Sequence, residues 1–439
     1  MRTYAVKFGG SSLADAEQFR KVRAIIQKDA ARRFVVVSAP GARYPGDIKV
    51  TDLLDACHSL ALKGESFLPE LEKIEARFAD ICAGLGIGLD LKSEFSAIAT
   101  CINAAPQKDY VLSRGEYLSA KIMAEYLGLP FIDPARCVRF DRDGLLMEEE
   151  TYDALSRLLR PLPGAVIAGF YGSAPDGGIK TFSRGGSDVT GALVARAVNA
   201  DLYENWTDVS GLMEADPRII PDARPVEYIS YRELRILSYM GASVLHTDAV
   251  RPVSALNIPI NIKNTNRPED AGTLIVSRLP DDHTRRSVTG IAGRKGLSVV
   301  QVEKSMVSDG AGFTAVLLDI FKHHRVPFEQ CLTGIDTISI VIRSELLESK
   351  KDDIIRDIAR ELSPDTLRII DRLSMITVVG ENAGDSNEVS ARLISAVQSA
   401  GVSISTINQG AGRLNLIIGV KEADYVRAIR ALHASISEG

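Results

Sequence analysis

Cysteine is scarce and unpatterned in this chain. There are five in 439 residues, an odd number, widely spaced and without a C-x-x-C pair. Neither a disulfide framework nor a zinc site is supported, and Cys57, Cys82, Cys101, Cys137 and Cys331 read as reduced core residues. No apolar run approaches the ~18–20 residues that span a bilayer, and no signal-type apolar segment follows Met1, so a cytoplasmic location is expected. Charge of one sign is not concentrated either. The formal net charge is -5 with no run of basic residues, which leaves no general field for nucleic acid or an anionic membrane. His323-His324 has no ligand-like spacing to other His or Cys and reads as surface decoration at a helix end. Aromatic residues make up 6% and hydrophobic residues 45%, the balance of an ordinary globular α/β protein with length for two or three domains.

What stands out is a pair of glycine motifs. Lys7-Phe8-Gly9-Gly10-Ser11-Ser12 lies near the start, and Ser183-Arg184-Gly185-Gly186-Ser187-Asp188 lies far downstream. Each sets two glycines beside a cation and hydroxyls. Glycine lets backbone N–H groups approach an anion, a helix N-terminus adds its positive dipole end, and Lys or Arg adds full charge. Two such cradles point to a transferred phosphoryl group.

Thr3 to Phe8 reads as a strand. Ala14 to Ala30 reads as a helix with Phe19, Val22, Ile25 and Ile26 on one face and Asp15 as N-cap, and Phe34 to Val37 as a buried strand. This is a βαβ unit whose glycine pair falls at the strand-to-helix turn, where open parallel sheets bind ligands. Residues 52 to 160 are mainly helical in pattern. Strand signals return at Ala165 to Phe170, Leu202 to Glu204 and Pro259 to Lys263, and the polar stretch Leu279 to Arg286 marks a boundary. Beyond it, strand–helix–strand–helix from Leu297 to Leu362 is echoed from Met375 to Ala434. Two copies of a ligand-sized α+β module suggest regulation.

The segments KFGGSS, Val35 to Gly41, Ser113-Arg114-Gly115-Glu116, Phe182 to Asp188, Trp206-Thr207-Asp208, Asp216-Pro217-Arg218 and Val244-Leu245-His246 closely resemble the aspartate kinase family, in the family's order. They cover about residues 3 to 276, and the tail resembles the family's paired ACT domains. The resemblance implies an amino-acid kinase fold, a mostly parallel sheet between helices, at 1–280. Two ferredoxin-like ACT domains are expected to follow at 287–368 and 369–439. It also implies ATP-dependent phosphorylation of the L-aspartate β-carboxylate to 4-phospho-L-aspartate, towards lysine, threonine and methionine. No homoserine dehydrogenase segment follows the tail, which suggests the monofunctional form.

By resemblance, Lys7 reaches the phosphates being separated, and Gly9, Gly10 and Ser11 offer backbone and hydroxyl donors. The alternative for Lys7 is a solvent-facing strand residue. Arg184 is expected to clamp the substrate α-carboxylate, since bidentate recognition favours Arg, and Glu116 to hold its ammonium. Ser38, Thr51, Phe170, Gly185 and Ser187 match the aspartate pocket. The alternative for Glu116 is a first-turn glutamate of a helix starting there. Asp188 resembles the carboxylate that organises Lys7, with a helix N-cap before Val189 to Val198 as the alternative. Thr207, Asp208 and Arg218 match the nucleotide side. Magnesium is expected with ATP, held by phosphate oxygens and water, with no protein metal ligand. Two residues depart from the family: Met213 stands where tyrosine is common and Ser243 where lysine is common. Lys263 is the candidate to replace that missing cation.

In the tail, Ser308, Asp309, Gly312 and Phe313 form a turn that could present helix N-terminal amides to an effector carboxylate. Glu329 and Thr333 fall where lysine-sensitive relatives carry an acidic residue and a hydroxyl. Feedback inhibition by lysine, ahead of threonine, is therefore expected, in a homodimer or dimer of dimers. The alternatives are modules that serve dimerisation alone, a sibling kinase with another acceptor, or a catalytically silent amino-acid sensor.

Overall fold

The computed structural model describes residues 2–183, 185–242, 245–280, 288–305, 312–380, 387–409 and 414–437. The chain divides into two units, one of Met1–Met213, Pro225–Ser238 and Ser243–His283, the other of Glu214–Arg224, Tyr239–Ala242 and Thr284–Gly439.

The first unit opens with β1 (Tyr4–Phe8), α1 (Ala16–Lys28) and β2 (Arg32–Val37). Helix α1 begins where the Asp15 side chain accepts the Gln18 N–H at 3.0 Å, and it buries Phe19, Val22, Ile25 and Ile26. Four helices follow, α2 (Val50–Leu62), α3 (Leu68–Leu85), α4 (Lys92–Ala104) and α5 (Lys108–Leu127). Next come β3 (Phe131–Ile132), α6 (Glu148–Leu159), β4 (Ala165–Ala168), β5 (Tyr171–Ser173), β6 (Ile179–Thr181), α7 (Gly186–Ala197) and β7 (Leu202–Thr207). The unit ends with β8 (Tyr228–Ser230), α8 (Tyr231–Tyr239), α9 (Val250–Ser254), β9 (Ile260–Asn264) and β10 (Thr273–Val276).

Eight strands form one sheet in the order β3-β4-β2-β1-β7-β9-β10-β8. The run from β3 to β9 is parallel and β10 is antiparallel to β9. A parallel sheet is covered on both faces, which is why β1 and β2 are nearly continuous apolar runs. Val6, Phe8, Val35 and Val37 join Phe19, Val22 and Ile25 in one core cluster. Strand β1 sits in mid-sheet between β2 and β7, so the first glycine pair emerges at the centre of the strands' C-terminal edge.

The second unit is built on β11 (Gly290–Glu303), α10 (Phe313–His323), β12 (Gln330–Thr333), β13 (Thr337–Arg343), α11 (Ser344–Glu348) and α12 (Lys351–Leu362). It continues with β14 (Thr366–Val379), α13 (Asn387–Ser399), β15 (Ile404–Gln409), β16 (Asn415–Lys421) and α14 (Tyr425–Ser437). The sheet order is β12-β13-β11-β14-β16-β15, antiparallel throughout. Strands β11 and β14 pair from Gly290↔Val379 to Glu303↔Thr366, so both run through both halves of the sheet. The division proposed at residue 368 falls inside β14. In the first half Val300, Val302, Ile338, Ile340 and Ile342 pack on Leu317, Phe321, Ile354 and Ile358 of α10 and α12.

Two expectations need correction. Cys57, Cys82 and Cys137 are buried, but Cys101 is exposed on α4 and Cys331 is half-buried. His324 is not surface decoration: its Nε2 lies 2.8 Å from Asp357 Oδ2 and ties the end of α10 to α12. The edge strands β12 and β15 were not read from the sequence, because their half-exposed residues lack a buried face. Of the polar boundary stretch, residues 281–286 lie outside the described residues. Among the described residues no helix is long and apolar enough to cross a membrane.

Candidate active site

Side chains alternate along β1, so Lys7 and Phe8 face opposite sides of the sheet. Lys7 stands in register with Asn205 of β7, and its buried ammonium lies 2.6 Å from Asp188 Oδ1. Asn205 Nδ2 donates to the same oxygen at 3.0 Å. The solvent-facing alternative for Lys7 therefore fails, with 8% of the residue exposed. The capping alternative for Asp188 fails as well. Helix α7 starts at Gly186 with Gly185 as its N-cap, at φ +60°, which puts Asp188 inside the first turn with its carboxylate engaged by Lys7 and Asn205.

The ends of β1 and β2 touch through glycine. Gly9 donates its N–H to the Trp206 carbonyl at 2.9 Å, and Gly41 donates to the Gly10 carbonyl at 2.7 Å. A Cβ on Gly10 would lie 2.9 Å from the Ala39 carbonyl oxygen, and one on Gly41 would lie 2.6 Å from the Gly10 carbonyl carbon. Backbone approaches backbone here, so no side-chain rotation relieves an added methyl. Ser11 lies in the 3-10 turn Gly10–Leu13 that follows, and Ser38 donates its N–H to the Phe8 carbonyl at 3.2 Å.

Glu116 lies mid-way along α5, which starts at Lys108, so the first-turn alternative is corrected. Gly115 lets the helix close on the loop after β2, since a Cβ there would meet the Ala39 methyl at 2.6 Å. Burial pushes the Glu116 carboxyl up to about 8. The Ala39 and Glu116 backbone N–H groups and the charges of Lys7 and Arg114 oppose that rise. Its Oε2 is buried and has no hydrogen-bond partner among the described residues. A buried carboxyl oxygen without a partner is costly, and a bound ammonium would satisfy it.

Phe170 holds φ +80°, strained for a bulky residue, and is fixed on both sides of its backbone. Its N–H is accepted by Thr190 Oγ1 at 3.1 Å, and its carbonyl accepts the Phe182 N–H at 2.9 Å. Ser187 is buried against Gly169, where a Cβ would stand 2.6 Å from Ser187 Oγ. Thr51 and Phe170 line a cavity of about 1490 Å3 together with Val189, Asp109, Lys180 and Thr181. Asp109 accepts from Lys180 Nζ at 2.9 Å and from Thr181 Oγ1 at 2.6 Å.

Residues 2–264 match the Amino acid kinase family and residues 376–436 match an ACT domain. Aspartokinase 3 of Bacillus subtilis (strain 168) is 36% identical over 451 residues, covering 99% of this chain and 98% of that protein. The chain belongs to the aspartokinase family. Its structure is similar to that of Clostridium acetobutylicum aspartate kinase, with a TM-score of 0.89 and 40% identity over 99% of this chain and 100% of that one. It shares its fold with E. coli aspartokinase III, solved with aspartate and ADP (R-state), at TM-score 0.79 and 24% identity over 99% of each chain. The same enzyme solved with lysine and aspartate (T-state) matches at 0.77 and 23%, again over 99% of each chain.

Of the positions expected on the nucleotide side, Thr207 ends β7 and its hydroxyl donates to Asp208 Oδ1 at 3.0 Å. Lys263 stands in register with Trp206, hence on the face of Phe8 and opposite Lys7. Its ammonium lies 5.4 Å from the Trp206 ring centre, and burial lowers its pKa. The structure therefore does not bring Lys263 to Lys7. Arg218 belongs to the second unit, where its side chain is exposed and paired with Asp216 at 2.8 Å. Arg184 and Ser243 lie outside the described residues, as do Ser308 and Asp309 of the effector turn.

Gly312 is the N-cap of α10, with φ +124°, and Phe313 is the helix's first residue. Thr333 ends the edge strand β12. Glu329 is not a free carboxylate. Arg294 Nη1 and Arg343 Nε donate to it at 2.9 and 2.8 Å. Burial raises its pKa, but the hydrogen bonds from Arg343 and Tyr239 and the charge of Arg294 outweigh that and hold it low. The sequence reading missed Asn205, Thr190 and Asp109. Only Asn205 left a signal, as the residue before Trp206-Thr207-Asp208 on a strand beside β1.

Proposed function

We propose that the chain carries out its family's reaction. A β-carboxylate oxygen of L-aspartate attacks the γ-phosphorus of ATP, a P–O bond forms, the bond to the ADP oxygen breaks, and 4-phospho-L-aspartate leaves with ADP. The acceptor carboxylate is ionised at neutral pH, so no proton need be removed. Asp188 then acts as an orienting group rather than a base. With Asn205 it holds the Lys7 ammonium at the strand end, so positive charge is in place before the phosphoryl oxygens spread theirs. Gly9, Gly10 and Ser11 supply donors beside it, and Thr207, Asp208 and Arg218 the rest of the nucleotide contacts by family resemblance. Magnesium would be held by phosphate oxygens and water, since Asp188 is already engaged by Lys7 and Asn205, and would screen the triphosphate charge.

The observation that carries this reading is the buried, unpartnered Glu116 oxygen within the field of Lys7. An amino-acid ammonium fits it, with Arg184 as the clamp for the α-carboxylate and Ser38, Thr51, Phe170, Gly185 and Ser187 shaping the pocket. Regulation by an amino acid through the ACT modules, with lysine the first candidate, follows from the family and from the lysine complex of E. coli aspartokinase III. Glu329 would have to release Arg294 or Arg343 to receive an ammonium. Assembly as a dimer or a dimer of dimers belongs to the same reading.

ATP- and magnesium-dependent hydroxamate formation tests it, because hydroxylamine traps an acyl phosphate. L-aspartate, L-glutamate and N-acetylglutamate serve as parallel acceptors, each with and without lysine or threonine. Product with aspartate alone is expected. Product with another acceptor would reassign the substrate, and silence with all three would favour an amino-acid sensor.

A further inference from the structure

Helix α3 carries an arginine where its spacing calls for an apolar residue. Leu71, Ile74, Phe78, Ile81 and Cys82 form the buried stripe of α3, and Arg77 lies on that stripe with 4% of the residue exposed. An arginine is rarely buried unless its donors are engaged. Here they are taken by backbone carbonyls. Arg77 Nη1 donates to the Ile48 carbonyl at 2.9 Å, and Nη2 donates to the carbonyls of Ala14, at 3.1 Å, and Gly41. Asp47 Oδ2 lies 3.5 Å from Nη1 and is itself held by Arg43 Nε at 2.9 Å, so the buried charge has a counter-ion fixed in place.

The three carbonyls belong to different pieces of the site. Ala14 follows the 3-10 turn Gly10–Leu13, which carries Ser11 and leads on from Gly9. Gly41 lies in the loop after β2 that begins at Ser38, and its N–H donates to the Gly10 carbonyl at 2.7 Å. Ile48 lies just before α2, whose first N–H, from Val50, goes to the Pro40 carbonyl at 3.1 Å and whose second residue is Thr51. The phosphate donors of the proposed reaction therefore sit on one piece, and the acceptor contacts Ser38 and Thr51 on the other two. We propose that Arg77 is a positioning residue for phosphoryl transfer: its rigid fork ties the nucleotide turn to the acceptor loop and helix, and so fixes the separation of the two bound substrates. This rests on the reading that Gly9 to Ser11 hold ATP and that Ser38 and Thr51 line the aspartate pocket. Arg77 lies outside every motif that marks the site, on a helix whose other buried residues belong to the hydrophobic core.

The test measures hydroxamate formation by the full-length enzyme with MgATP and L-aspartate varied in turn. Arg77→Met keeps the apolar stem and removes the fork. Its kcat is expected to fall about a hundredfold with both KM values within about threefold, because misplacement by an ångström slows transfer without emptying either pocket. The melting temperature is expected to rise with MgADP alone and with aspartate alone as it does in the parent. Arg77→Lys keeps the charge but is a point donor, so it should stay about tenfold or more below the parent in kcat. Parent kcat in Arg77→Lys would show that charge alone suffices and overturn the proposal. A loss confined to one substrate's KM, or to one ligand's melting shift, would assign Arg77 to a single pocket and overturn it too. So would a lower melting temperature with kcat unchanged, the mark of a merely structural residue. Should Arg77→Met fail to fold, Arg77→Lys decides: a reduced kcat with both melting shifts intact supports the inference, and parent kcat overturns it. Thr51→Val is the control on the underlying reading and should raise the KM for aspartate. If it does not, the acceptor assignment fails and takes the inference with it, whereas a raised KM there beside an unaffected Arg77→Met sinks the inference alone.

Discussion

If Glu116 receives the substrate ammonium as proposed, it sets the pH response of the active site. Its carboxyl is raised to about 8 by burial, and only the ionised form pairs with the substrate ammonium. Below pH 8 aspartate binding must therefore expel a proton, and kcat/KM for aspartate is expected to rise with pH up to about 8 and then level. Glu116→Gln should remove that step and lower kcat/KM about a hundredfold or more, read from pH profiles of hydroxamate formation. The sign for stability is the reverse. A carboxyl whose folded pKa is raised costs stability as pH climbs from its unfolded value to the folded one, so Glu116→Gln should melt higher than the parent at pH 8.5. Lys263 is a second residue whose role follows from its side of the sheet. Packed against Trp206 opposite Lys7, it is expected to leave the KM for ATP within about twofold when changed to Ala. A rise of tenfold would restore it as the replacement for the cation missing at position 243.

At the scale of elements, the junction of β1 and β2 decides whether Lys7 is held where phosphoryl transfer needs it. Gly41 meets the Gly10 backbone so closely that an added Cβ lies 2.6 Å from the Gly10 carbonyl carbon. Gly41→Ala should part the two strand ends and lower kcat about a hundredfold while the sheet still folds, since an ångström of misplacement is enough. Circular dichroism and turnover measured together check both halves of that statement. Helix α5 makes a related point. The Ser113-Arg114-Gly115-Glu116 motif works from the middle of a 20-residue helix, where Gly115 permits contact with Ala39 and so aims Glu116.

At the scale of the whole molecule, the ACT-bearing unit has its own electrostatic anchor in Glu329. Held low by Arg343, Tyr239 and Arg294, this carboxylate contributes stability above its unfolded pKa, and that contribution is lost as pH falls through its folded value. Glu329→Gln should therefore cost about 1–3 kcal/mol at pH 7 and narrow the drop in melting temperature between pH 7 and pH 4. If lysine binds by displacing one of these arginines, the same variant should also shift less on adding lysine, because an effector acts only through its different affinity for two states. An equal lysine-induced shift in variant and parent would place the effector elsewhere.

What is local or patterned could be read from the residues alone. Asp15, the apolar face of α1 and the runs at β1 and β2 marked the opening βαβ unit, because capping and burial are written in residues a few positions apart. The glycine motifs and their cations marked the site, and the repeated strand–helix pattern marked the tail. Tertiary structure decided what depends on residues far apart in the chain. It turned the Asp188 carboxylate to Lys7, 181 positions away, where the sequence alone left a helix cap as the alternative. It put Lys263 on the opposite face of the sheet, since the register between β7 and β9 is set by long-range pairing. It engaged Glu329 with two arginines, ran β11 and β14 through both halves of the tail sheet, and gave Arg218 to the ACT-bearing unit. Pairing partners, faces and unit membership follow from which distant segments pack together, and no local spacing encodes that.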